Sequence, residues 1–83
     1  MNQISAADDL GQRLREVMGA VFGIDPTTIA GDASSATIAE WDSVRHLQLM
    51  LALEEEFNVQ FDADELVSLR TVPLIIQRLR AQS

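Results

Sequence analysis

Residues 40–66 read EWDSVRHLQLMLALEEEFNVQFDADEL. From Asp42-Ser43 to about Phe57 the stretch is built of good helix formers, with no Gly or Pro inside it. Asp42 and Ser43 both suit a helix start, and Asn58 suits a stop. The spacing therefore predicts one long helix. A short helical turn over about Ala63 to Val67 follows, with Asp62 as its cap.

The flanking segments fit the same plan. Ser5, with Asp8 three residues on, reads as the cap and first-turn acid of an earlier helix. Leu10, Leu14, Val17, Met18, Val21 and Phe22 recur at three- and four-residue spacing, and Gly23 and Pro26 end the run. A last helix is expected from the cap Thr71 to about Arg80, with Pro73 tolerated in its first turn. Residues 24–42 lack periodicity, so Ile24, Ile29, Ile38 and Trp41 are expected to pin a long loop to the core. No segment sustains an alternating pattern. The expected fold is all-α, a small bundle of three longer helices and one short one, with the long loop between helices 1 and 2. Residues 1–83 are expected to form a single domain.

Composition removes several functions. There is no cysteine and a single histidine, which excludes a disulfide framework, a thiolate site and a multi-histidine metal centre. Thirteen acids against six bases give a net charge of −7, the wrong sign for a nucleic acid or an anionic membrane surface. No apolar run approaches the roughly 20 residues of a membrane span. MNQISAADD has acids where a signal peptide has bases, so a soluble, cytoplasmic monomer is expected. Residues 42–65 hold Asp42, Glu54, Glu55, Glu56, Asp62, Asp64 and Glu65 against one base, Arg45. Such a local field either recruits a partner with a basic face or only keeps the surface solvated.

Placed on a wheel from Ser43, Leu49, Met50, Leu53 and Phe57 span roughly 240° to 340°, an ordinary core stripe. Leu47, Leu51 and Val44 fall at roughly 40° to 100°, away from it. A chain this short has little with which to cover both. Val44, Leu47 and Leu51, edged by Gln48, Glu54 and Glu55, read as a docking strip beside Ser43; the alternative is that the other helices cover it. His46 points to the core stripe and is expected to pack there. Asp42, Ser43 and His46 lie in one turn and do not converge as a triad. Asp62-Ala63-Asp64 lacks the glycine and downstream ligands of a calcium loop. No catalytic site is evident.

The quoted stretch, continued by LRTVPLIIQRL at 69–79, resembles the acyl carrier protein family over nearly the whole chain. The most specific element is Asp42-Ser43 and a following apolar residue at a helix start after a long loop, combined with LEEEF at 53–57. The resemblance implies that Ser43 carries 4′-phosphopantetheine, transferred from coenzyme A by a phosphopantetheinyl transferase that reads Asp42. It implies a carrier, not an enzyme, whose acyl or aminoacyl cargo rides as a thioester between loading and accepting enzymes. Glu40-Trp41 stand where the family commonly has glycine, and Val44 replaces its usual leucine. Arg45 and Gln48 stand where fatty-acid-synthesis carriers usually show acids. That departure points to a specialised pathway. The competing expectation is an unmodified acidic helical interaction module with the same fold.

Overall fold

The computed structural model describes residues 6–82, with side chains from residue 9 to 81. Its helices are α1 (Ala6–Phe22), α2 (Ser43–Phe57), α3 (Ala63–Ser68) and α4 (Val72–Gln82). A single 3-10 turn, Pro26–Thr28, lies in the long loop, and no strand occurs among the described residues. This is the all-α plan expected from the sequence. The expected cap Ser5 and the side chain of Asp8 lie outside what is described. Helix α3 runs one residue further than expected and α4 two.

Helix ends follow local chemistry. Asp42, in extended conformation, accepts the Arg45 N–H at 2.8 Å and caps α2. Asn58 closes that helix in the left-handed region, at φ 54°. Asp62 and Glu65 form a reciprocal capping box at α3: Asp62 accepts the Glu65 N–H at 2.8 Å and Glu65 accepts the Asp62 N–H at 3.0 Å. Thr71 caps α4 by accepting the Leu74 N–H at 3.1 Å.

The core lies between α1, α2 and α4. Leu14 and Met18 of α1, Leu49, Met50 and Leu53 of α2, and Val72 and Ile75 of α4 are fully buried. Phe57, expected in the core stripe, is only half-buried. The Arg13 guanidinium lies 4.5 Å from its ring centroid and also bonds the Glu56 carbonyl at 3.2 Å. The stem and cation of Arg13, from α1, therefore cover that end of the stripe.

The long loop is fastened to this core. Ile29 and Trp41 are buried as expected, while Ile24 and Ile38 are half-buried. Two contacts were not foreseen. Ala33 is buried, and Ser34 pairs with Thr71 as an isolated bridge, with Ser35 N–H on the Arg70 carbonyl and Val72 N–H on the Ala33 carbonyl. The loop thus leans on the α3–α4 connection. At its start, Gly23 adopts φ 72° and donates its N–H to the Gly19 carbonyl at 2.8 Å. The chain then folds back so closely that a Cβ on Gly19 would lie 2.8 Å from both the Ile24 oxygen and Pro26 Cγ.

Gly19→Ala is therefore expected to destabilise the protein by about 1–3 kcal/mol, because backbone must move. Gly31→Ala meets nothing within 4 Å and is expected to stay within about 0.5 kcal/mol. Urea denaturation followed by circular dichroism compares the two; equal midpoints would rule out the close approach at Gly19.

Candidate functional site

The site is the start of α2 and what holds it. With Asp42 as the cap, Ser43 is the first helical residue, and it is exposed. The first N–H groups of a helix lack intrahelical acceptors, so this end carries partial positive charge. Asp42 also pairs with the Arg45 guanidinium at 3.2 Å, which offsets its own charge beside the serine.

Behind Ser43 lies a buried polar chain. His46 is 1% exposed. The Trp41 indole N–H donates to His46 Nδ1 at 2.9 Å, and Nε2 lies 2.7 Å from the Leu66 carbonyl oxygen. An indole N–H can only donate, so Nδ1 accepts and the proton sits on Nε2. The ring is neutral, with one tautomer, and bridges residue 41 to the last turn of α3. Trp41 also packs against Phe22 of α1 in a tilted arrangement, with ring centroids 5.4 Å apart. The expected packing roles of His46 and Trp41 are both met. Neither ring nitrogen of His46 remains to act as a base toward Ser43. Burial pushes the His46 pKa below the ordinary value of 6.5; the Leu66 carbonyl opposes that, and the charge of Arg70 adds to it.

The second face of α2 is uncovered. Val44, Leu47 and Leu51 are 66%, 54% and 63% exposed. Gln48 and Glu55 are exposed beside them. Glu54, expected at the same edge, is half-buried and accepts the Phe61 N–H at 2.9 Å, so one oxygen serves the α2–α3 loop instead. Sequence reasoning missed Val67, which is 65% exposed on α3. The His46–Leu66 bond brings that turn against the start of α2, and Val67 follows directly. The available signal was the pair Leu66-Val67 in a six-residue helix, of which one member had to face outward.

The family model for the phosphopantetheine attachment site matches residues 12–79. An acyl carrier protein from Thermosynechococcus vestitus is 31% identical over 72 residues, spanning 87% of this chain and 84% of that relative. The chain belongs to the acyl carrier protein family. It is a phosphopantetheine-bearing carrier, not an enzyme, and such carriers work with a transferase and with biosynthetic enzymes. The cofactor of the family is covalent 4′-phosphopantetheine. The exposed first turn of α2 fits such a group: its hydroxyl is accessible, and its free N–H groups favour a phosphodiester.

The lowered His46 pKa sets a pH dependence. Its stabilisation is fully present above the unfolded-state value of about 6.5 and is lost as pH falls through the lower folded-state value. Urea midpoints of the wild type and His46→Gln, measured between pH 7.5 and 5, should converge as pH falls. Curves that stay parallel would show that His46 does not titrate in this way.

Proposed function

We propose that Ser43 is the attachment residue, and that the protein carries an acyl or aminoacyl group for a specialised pathway. The observation that carries this is the exposed Ser43 in the first turn of a fifteen-residue helix, directly after its cap. Other described serines fit less well. Ser34 is half-buried, with its hydroxyl oxygen accepting the Ala36 N–H at 3.1 Å. Ser35 is half-buried too, and Ser68 ends α3, where the helix dipole disfavours an anion.

In the transfer, Ser43 Oγ forms a bond to the phosphorus nearest the pantetheine of coenzyme A. The pyrophosphate bond breaks and the adenosine bisphosphate leaves. The serine proton needs a base from the transferase, since both His46 nitrogens are engaged and Asp42 is held as a cap. When attached, the group supplies the thiol that holds cargo as a thioester. The residues of this chain then fix where the arm is rooted and which enzymes approach it.

The docking face is the apolar strip Val44, Leu47 and Leu51, with Gln48, Glu55 and Asp42 at its margin. The exposed Val67 on α3, whose last turn is tied to α2 through His46, is its extension. It suits a partner with an apolar patch ringed by basic side chains. Arg45 and Gln48 place a positive and a neutral group on this helix, which favours dedicated partners over those of housekeeping fatty acid synthesis. Residues 1–83 serve as one carrier domain, cytoplasmic and monomeric, and no helix among the described residues is long and apolar enough to cross a membrane.

Intact-protein mass after incubation with coenzyme A and a broad-specificity phosphopantetheinyl transferase should show one added arm on the wild type and none on Ser43→Ala. A folded wild type that gains no mass with two different transferases would favour the unmodified interaction module instead. For docking, Leu47→Ala and Glu55→Arg should each raise KM for the transferase about five- to tenfold with little change in kcat. Unchanged KM in both would place the transferase elsewhere on the surface.

A further inference from the structure

Helix α3 has six residues, none of them buried, so its ends must be secured by other means. Its C-terminal carbonyls are all met. The Leu66 oxygen faces His46 Nε2, the Val67 oxygen accepts from Arg70 Nε at 3.0 Å, and the Ser68 oxygen accepts the Arg70 N–H at 2.9 Å. His46 is therefore a side-chain cap for α3. Its other nitrogen holds the indole of Trp41, the residue before Asp42-Ser43. The Trp41 N–H bonds the Ile38 carbonyl at 3.0 Å, and the His46 N–H bonds the Asp42 carbonyl at 2.8 Å. One imidazole thus closes a ring of contacts around the turn that presents the serine.

We propose that His46 is a positioning residue for phosphopantetheinyl transfer, acting through Trp41 to hold the Asp42-Ser43 turn in the conformation the transferase takes up. The inference rests on Ser43 being the attachment residue. Protonation acts unequally on the two bonds. An imidazolium has N–H donors on both nitrogens. The donor at Nε2 still suits the Leu66 carbonyl, whereas a proton on Nδ1 faces the indole N–H and ends that bond. Acid therefore releases the serine-presenting turn while α3 stays capped. The charged groups around the ring agree with a neutral state. Arg70, from the α3–α4 connection, disfavours added positive charge. Asp42 and Arg45 at the start of α2 are exposed or half-exposed and pair with each other, Glu65 of α3 pairs with Arg78, and α1 meets the cluster through the uncharged Phe22.

Two conservative changes separate the bonds. Trp41→Phe keeps the ring against Phe22 but removes the indole N–H. His46→Gln offers an amide donor near Nε2 and withdraws the acceptor from Trp41, whereas His46→Asn offers an acceptor near Nδ1 and withdraws the cap from α3. A turn that is only partly in the competent conformation raises apparent KM by the inverse of that fraction. With a phosphopantetheinyl transferase and coenzyme A, Trp41→Phe and His46→Gln should raise KM for the carrier about five- to tenfold with kcat nearly unchanged. His46→Asn should stay close to wild type.

The ratio of wild-type to Trp41→Phe kcat/KM cancels the transferase's own titration. It should fall toward one as pH drops below the ordinary imidazole value. The fluorescence of Trp41, the single tryptophan, should titrate in the same range in the wild type and not in His46→Gln. Circular dichroism at each pH confirms that the helices persist. Equal KM for wild type, Trp41→Phe and His46→Gln, or a ratio independent of pH, would overturn the positioning role while leaving Ser43 as the attachment residue. No modification of the wild type would overturn both.

Discussion

Both ring nitrogens of His46 are buried, and each meets a partner that allows only one arrangement of protons. A buried polar atom without a partner costs about 1–3 kcal/mol, a large share of the stability of a domain this small. Placing a histidine at this depth therefore dictates three other features. Position 41 has to offer a donor, the last turn of α3 has to offer a free carbonyl, and the loop before α2 has to end where the indole reaches the ring. Trp41, Leu66 and the loop pins Ile29 and Ala33 meet those demands. The placement of α3 follows from this: it is tied to the start of α2, although residues 58–62 join it to the end.

The arginines extend the same economy of contacts to the surface. Arg13 lies over Phe57 and bonds Glu56, and Arg78 lies over Phe61 while pairing with Glu65. In each case one guanidinium covers an aromatic ring at the edge of the core and offsets an acid. Exposed ion pairs contribute little by charge alone. The covering of apolar rings by arginine is the more valuable part. What remains is an acidic surface whose acids are unevenly committed. Glu54 and Glu65 serve backbone or capping bonds, and the Glu65 carboxyl is held below its ordinary range by the Asp62 N–H and by Arg78. Asp62 is exposed but committed as the cap of α3, while Glu55 beside the strip and Asp64 on α3 are exposed.

The helices were legible in the sequence because their signals are local: Asp42, Asp62 and Thr71 cap where they were expected to, and Gly23 and Asn58 stop helices at positive φ. The uncovered apolar strip was also legible, since an apolar arc too wide for one core has to leave part of itself outside. The failures are all non-local. Nothing near Glu54 in sequence says that its carboxylate will meet the N–H of Phe61. Nothing in the loop composition says that Ser34 will pair with Thr71. Phe57 lies on the core stripe by angle, yet its cover is an arginine from α1, and an angular plot of α2 contains no information about α1. Which of Leu66 and Val67 faces outward was hidden for the same reason, since it depends on how α3 is docked by His46.

A carrier must meet several enzymes in turn and be released by each, and the size of the strip is consistent with that demand. Full burial of a valine or leucine is worth about 1.5–3 kcal/mol, and Val44, Leu47 and Leu51 are already about one-third to one-half covered. Their combined contribution on docking is thus a few kcal/mol, against an association cost of about 4–15 kcal/mol. Apolar contact alone yields no stable complex. The balance has to come from the acidic margin, which accelerates encounter and weakens with salt, and from the arm once it enters a partner's cleft. The first contribution is the same for every basic partner, and the second depends on the cargo. With Ser43 as the proposed root, selectivity rests on the tethered group and on how firmly that root is held, and the proposed positioning role ties the buried bond between residues 41 and 46 to the exposed serine.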